Sequence, residues 1–262
     1  MKPRKTLLFC LGAIALSATP LTSIHAQDSA AYTKRGIELA KAKQYDKAAE
    51  EFGQAMKVDP NDPKHYLNRG RAYRMAGKFA EAEKDFSHLI EMNKDDNDGY
   101  SERGKTRVSE KKYDQAIEDL SKAIELNDDD VEAYRFRAYA YTSKNDYEKA
   151  IADYSHVLEV KKDDAQALER RAFSYMQAKQ YDEALGDYTK LIEKSPKDAE
   201  ALRGRAYCNS QTGHFDKAVA DYQAVLKLKP SDANAQQGLK AAQQKTKAAA
   251  GPPPSAAASP AH

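Results

Sequence analysis

The sequence predicts an all-α protein, built as a tandem array of paired helices. Three observations carry that expectation. Residue types return at a fixed interval of 34 positions from Ser29 to Asp232, which marks a repeated unit. Within each interval the small and apolar residues fall at helical spacings. The composition is 31% charged and 41% hydrophobic with no Trp, a profile closer to a soluble helical protein than to a β-rich one.

The N-terminal stretch stands apart from the array. Met1 to Lys5 is basic, Leu7 to Ala18 is an apolar run of 12 residues, and Ser23-Ile24-His25-Ala26 precedes Gln27 with a small residue at the junction. That three-part layout predicts a signal peptide over residues 1–26, too short in its apolar run for a spanning helix. It implies an exported protein, periplasmic in a bacterium and secreted otherwise, with membrane attachment only if the segment stays uncleaved. Leu8 and Phe9 before Cys10 are not the small residues of a lipidation site. Cleavage leaves Cys208 as the sole cysteine, so no intramolecular disulfide can form and the thiol is expected to be a buried filler.

Charge narrows the partners. The full chain has 42 basic and 40 acidic residues. Lys2, Arg4 and Lys5 are the basic residues of the first 26, which hold no acid, so 39 basic residues face 40 acidic ones afterwards. A near-neutral chain is not drawn globally to nucleic acid or to an anionic membrane.

After a short polar lead-in at residues 27–30, six frames run without insertion: 29–62, 63–96, 97–130, 131–164, 165–198 and 199–232. The fourth position holds Tyr32, Tyr66, Tyr100, Tyr134, Leu168 and Leu202; the eighth holds Gly36, Gly70, Gly104, Ala138, Ala172 and Ala206. The seventeenth is aromatic throughout (Tyr45, Phe79, Tyr113, Tyr147, Tyr181, Phe215), and the twentieth is Ala throughout (Ala48, Ala82, Ala116, Ala150, Ala184, Ala218). Position 24 is Phe52, Phe86, Leu120, Tyr154, Tyr188 or Tyr222. Positions 4, 8 and 11 share one face of a first helix, and 17, 20, 24 and 27 one face of a second. Small residues opposite large ones let rings enter between closely packed helices. Pro60, Pro196 and Pro230 follow the second helix of their frames and stop it.

These spacings resemble the tetratricopeptide repeat (TPR) family over residues 29–232. The resemblance implies a right-handed superhelical solenoid of antiparallel helix pairs whose first helices line a groove. Two departures stand out. Lys94, Asp128 and Lys162 replace the proline at position 32 in the second to fourth frames, which predicts that those second helices run on. Position 7, often Leu in the family, is Arg in every frame. Beyond the frames, residues 233–250 are expected to cap the array as a helix, and residues 251–262, GPPPSAAASPAH, to form a disordered tail.

The arginines at position 7 (Arg35, Arg69, Arg103, Arg137, Arg171, Arg205) are matched by an acid at position 23: Glu51, Asp85, Asp119, Asp153, Asp187 and Asp221. Each position flanks the buried stripe of its helix, so a ladder of structural ion pairs is expected within or between repeats.

Catalytic chemistry finds no support. Asp96, Asp98 and Gly99 match part of a calcium loop only superficially, since Lys94 and Lys105 stand where its terminal acids belong. The histidines have no metal-site spacing, and no phosphate loop, nucleophile elbow or C-x-x-C pair occurs. The chain is therefore expected to be no enzyme and to hold no cofactor or metal.

Function is sought where the frames differ, at positions 5, 9 and 12. By the family resemblance this face lines the groove. It offers Arg71, Arg74 and Lys105 in the second and third frames, then Tyr139, Phe173 and Tyr207 at one shared position, bordered by Arg135, Met176 and Arg203. Exposed aromatics among arginines suit a peptide with apolar anchors and acids. The carboxylate clamp of chaperone-type TPR domains is not matched: Asn68 stands alone, and Asp98 and Glu102 sit where bases are needed. The leading expectation is an exported scaffold holding a protein or peptide partner in its groove. Alternatives are a membrane-tethered or self-associating assembly factor and a glycan-binding accessory to cell-wall enzymes.

Overall fold

The computed structural model describes residues 21–249. Most of the expected signal segment, Cys10 included, and all of the expected tail lie outside the described residues. Among the described residues there are thirteen helices and no strand. The chain divides into two compact units, the first ending at Ala76 and the second beginning at Gly77.

The first unit contains α1 (Leu21–Lys41), α2 (Tyr45–Val58) and α3 (Pro63–Met75). The second contains α4 (Phe79–Met92), α5 (Asn97–Ser109), α6 (Tyr113–Leu126), α7 (Val131–Ser143), α8 (Tyr147–Val160), α9 (Ala165–Gln177), α10 (Tyr181–Lys194), α11 (Ala199–Gln211), α12 (Phe215–Leu228) and α13 (Ala233–Ala249). The lead-in at 27–30 is itself helical. No Pro or Gly lies between Leu21 and Tyr32, so nothing there breaks the helix.

All six second helices end at frame position 30, whether or not a proline follows. The expected extension of α4, α6 and α8 does not occur. The reason lies in the next element. The chain turns at position 31, where the Asn93, Asn127 and Lys161 N–H groups donate back to Leu89, Ala123 and Val157 at 3.0, 2.9 and 2.8 Å. Position 34 is Asp in every frame, and its carboxylate accepts from the first turn of the following helix: Asp98 N–H to Asp96 at 3.0 Å, Ala133 to Asp130 at 3.0 Å, Ala167 to Asp164 at 3.0 Å. That N-cap satisfies otherwise orphan donors and fixes the turn without proline.

The turn inside each frame is also built one way. Position 15 has a left-handed backbone in all six, as Lys43, Gly77, Lys111, Asn145, Lys179 and Gly213, with φ between 58° and 82°. In the fourth frame Asn145 N–H donates to the Thr142 carbonyl at 3.0 Å and Asp146 N–H to the Tyr141 carbonyl at 2.9 Å, the paired bonds of a Schellman C-terminus.

Packing follows the small-against-large rule with one addition. In the first unit a Cβ on Gly36 would lie 2.6 Å from the Phe52 ring, and in the second a Cβ on Gly104 would lie 2.6 Å from Leu120. Those are position 8 against position 24 of the same frame. Further along, the ring of Tyr188 fills the space over Gly204, and that of Tyr222 the space over Gly238, where a Cβ would lie 2.4 and 2.3 Å away. There the missing side chain belongs to position 6 of the following first helix. The alanines at position 20 in both units are fully buried. Helix α13 occupies the place of one more first helix. Asp232 caps it through the Ala235 N–H at 2.9 Å, and Ala235 and Ala242 are buried in a cluster with Leu202 and Tyr222.

Candidate binding groove

In five frames the position-7 arginine meets the position-23 acid of its own frame. In the second unit Arg103, Arg137, Arg171 and Arg205 each grip the aspartate 16 residues on in two-pronged fashion. Nε donates to Oδ2 at 2.8–2.9 Å and Nη2 to Oδ1 at 2.7–2.8 Å. Three of them reach one frame back as well: Nη1 of Arg103, Arg137 and Arg171 donates to the hydroxyl of Ser87, Ser121 and Ser155 at 3.0–3.1 Å. In the first unit Arg35 pairs with Glu51 at 2.9 Å in a more exposed setting. Arg69 belongs to the first unit, beside Gly53 and over the Tyr73 ring, and Asp85 is buried in the second. Hydrogen bonding to Asp119 and Asp187 holds Arg103 and Arg171 above the ordinary guanidinium value. These arginines are consumed by architecture.

The groove of the second unit is formed by first helices. Helix α7 contacts α9, α9 contacts α11, and α11 contacts α13. Tyr139, Phe173 and Tyr207 stand one frame apart on α7, α9 and α11 and are 37%, 37% and 41% exposed. They border two cavities. One of 650 Å³ is walled by Arg135, Tyr139 and Arg170. The other, of 760 Å³, is walled by Arg170, Phe173, Met176, Arg203 and Tyr207, with Gln237 of α13 on its far side. Tyr207 meets Tyr181 edge to face at 6.1 Å, a geometry that holds the ring in place.

Arg135 and Arg203 are tied to acids of the fold. Arg135 Nη2 donates to Asp164 at 2.6 Å, and its Nε to Glu132 at 3.3 Å. Arg203 donates to Asp232 at 2.9 Å and also bonds Glu200. Position 5 thus reaches the N-cap aspartate 29 residues on, as the Ser101 hydroxyl does with Asp130 at 2.8 Å. The bond from Arg135 holds the Asp164 carboxyl below its usual range. Lys105 is mostly buried, 3.4 Å from Glu102, and lines neither cavity. Arg71 and Arg74 are half-buried on α3 of the first unit.

One groove residue is not anticipated from the sequence. Arg170, at position 6 of α9, lines both cavities, and its guanidinium lies over the Tyr139 ring, 5.4 Å from the centroid. Position 6 is Lys34, Asn68, Glu102, Phe136, Arg170 or Gly204, so that, as at position 12, no residue type recurs in the six frames. That variability is the available signal.

Two histidines have defined partners. His156 stacks on Tyr134 with centroids 3.8 Å apart. In the first unit, Asp59, Asp62 and buried His65 bring possible ligand atoms within 4.8 Å of one another. Both ring nitrogens of His65 already face hydroxyls, Ser29 at 2.9 Å and Thr33 at 3.4 Å, which accounts for its burial. Cys208 is fully buried, and that burial pushes its thiol up to about 12. Among the described residues no helix is long and apolar enough to cross a membrane.

Stacked helix pairs with a cavity-lined face of first helices define a class, the helical-repeat interaction scaffold. Within it the chain belongs to the tetratricopeptide repeat family, whose profile matches residues 33–97, 102–167 and 169–233. The fold is that of YrrB, a TPR protein with an unusual peptide-binding site, at 17% identity and a TM-score of 0.68 over 73% of this chain and 99% of that one. It is similar also to PilF of Pseudomonas aeruginosa, at 13% identity and a TM-score of 0.67 over 81% and 97% of the two chains. MamA from Desulfovibrio magneticus RS-1 aligns at 17% identity and a TM-score of 0.59 over 65% and 97%. No curated protein sequence matches the chain.

Proposed function

We propose that the protein is an exported, non-enzymatic scaffold that holds a segment of another envelope or secreted protein in the groove of its second unit. The observation that carries this is the row of Tyr139, Phe173 and Tyr207, three rings at one frame position, exposed beside two cavities. A ring left in water at three successive repeats, while its neighbours at position 24 are buried, is apolar area available to a partner. The N-terminal layout of Met1 to Ala26 supports export. YrrB, of the same fold, is described as having a peptide-binding site, which is consistent with a groove put to that use. The ion-pair ladder keeps the helices in register and leaves the groove residues free to vary between repeats.

The test is site-specific photocrosslinking in the native compartment. A photoreactive residue at position 173 is expected to yield a discrete adduct whose mapped peptide comes from an exported protein. The same residue at Lys190, exposed on the second helix α10, is expected to yield none. Equal capture at both positions would overturn the proposal.

A further inference from the structure

We infer that the groove selects peptide segments in which a carboxylate sits beside bulky apolar anchors, and that Arg170 is the residue that reads the carboxylate. The inference rests on the proposed function and names the chemistry of its partner. The second unit has eight arginines. Seven are within ion-pair distance of an acid: Arg103, Arg107, Arg135, Arg137, Arg171, Arg203 and Arg205. Among the described residues, Arg170 is the exception. It is half-buried, it stands at the wall common to both cavities, and its described partner is the face of Tyr139.

A guanidinium stacked on a ring keeps its N–H groups directed outward in the plane of the fork. Its π contact does not use those donors. A half-buried cation with unspent donors is stabilised by an arriving anion, and a carboxylate matches the fork with two parallel bonds. The anchors on either side are Tyr139 and Phe173, so a carboxylate seated there is flanked by apolar contacts.

The donor geometry favours a carboxylate over a phosphate group. The nearest other groove arginines are occupied, Arg135 by Asp164 and Arg203 by Asp232, which leaves one planar fork for one carboxylate, while Lys179 of the larger cavity and Lys111 of the smaller are point cations without that fork. Glu169, exposed next to Arg170 on the same helix, lines the larger cavity and disfavours a doubly charged ligand further. Among the remaining acids of the two cavities, Glu132, Asp164 and Glu200 are paired with basic residues, and Asp198 caps α11.

The experiment is selection of a random displayed peptide library on the immobilised full chain, in parallel with Arg170→Gln, Arg170→Lys and the Tyr139→Ala/Phe173→Ala/Tyr207→Ala variant, followed by affinity measurement on the enriched peptides. The expected result is enrichment of Asp or Glu beside aromatic or aliphatic residues. Binding of those peptides falls on the order of tenfold in Arg170→Gln, as for loss of a hydrogen bond to a charged group, and is partly kept in Arg170→Lys. Replacing the acid of a selected peptide by its amide gives a loss of similar size in the wild-type chain and none in Arg170→Gln. Enrichment of apolar residues without acids, or acid selection untouched by Arg170→Gln, overturns this inference and leaves the peptide groove standing. No enrichment above that of the triple alanine variant overturns both.

Discussion

Arg171 and Asp187 face each other across the helix pair of the fifth frame. Two parallel hydrogen bonds join them at 2.8 and 2.7 Å, and a third bond runs from the same guanidinium to Ser155 of the frame before at 3.0 Å. The aspartate side chain is 4% exposed and the arginine 16%. One residue therefore ties the two helices of its own repeat and the repeat to its neighbour.

Removing one partner leaves the other charge buried. Asp187→Ala is expected to cost about 3–5 kcal/mol, whereas the paired change Arg171→Met/Asp187→Leu costs far less, because a buried ion pair is often matched by an apolar pair of similar volume. Urea unfolding of both variants and of each single change checks this, with the coupling read from the double-mutant cycle.

The left-handed turn position makes a prediction of opposite sign. Lys43, Lys111 and Lys179 adopt φ values of 58°, 62° and 61°, which Gly77 and Gly213 adopt without a Cβ. A lysine there costs about 1–2 kcal/mol of backbone strain, partly offset by the larger unfolded-state entropy of glycine. Lys111→Gly is expected to stabilise the second unit by about 0.5–1 kcal/mol. Thermal unfolding followed by circular dichroism would register a rise of a few degrees.

Close approach at Gly204 works against any side chain. The Tyr188 ring already occupies the place of its Cβ, and that ring is buried. Gly204→Val is expected to destabilise by about 2–3 kcal/mol through overpacking, although the same change on an exposed helical surface would cost little. Gly186 offers that control, since nothing lies within 4 Å of its Cβ position.

Burial of Cys208 leads to a reactivity test. With its thiol pushed up to about 12, the thiolate that alkylating reagents require is nearly absent at pH 8. The folded protein is expected to resist iodoacetamide at that pH, and the urea-unfolded protein to react at the rate of an ordinary thiol. Rapid labelling of the folded chain would contradict the packing described around α11.

How much of this is legible in the sequence depends on what each position does. Positions 8, 17, 20 and 24 repeat because packing leaves them little choice, so they announce the helix pairs and the family directly. Arg171 and Asp187 recur for the same reason, and their pairing can be expected from matched periodicity. The end of α4 cannot be judged from the absence of proline at Lys94, because the stop is set by Asp96 capping the next helix. Arg135 and Arg203 look like ligand contacts because sequence spacing does not show Asp164 and Asp232 lying 29 residues away in reach. Arg170 escapes notice because position 6 repeats nothing, and the glycines at that position, Gly204 and Gly238, give no hint of the rings from the preceding helices. Regularity exposes the scaffold, and the groove is written in the departures from it.

The ring row of α7, α9 and α11, proposed to hold a peptide segment, is tested by the affinity of the peptide mapped by crosslinking at position 173 for the wild-type chain and for Tyr139→Ala/Phe173→Ala/Tyr207→Ala. Hot-spot rings contribute about 2 kcal/mol or more each, so binding is expected to weaken on the order of a hundredfold or beyond while the helical circular dichroism signal is unchanged. Undiminished affinity in a fully helical triple variant would show that these rings do not hold the peptide.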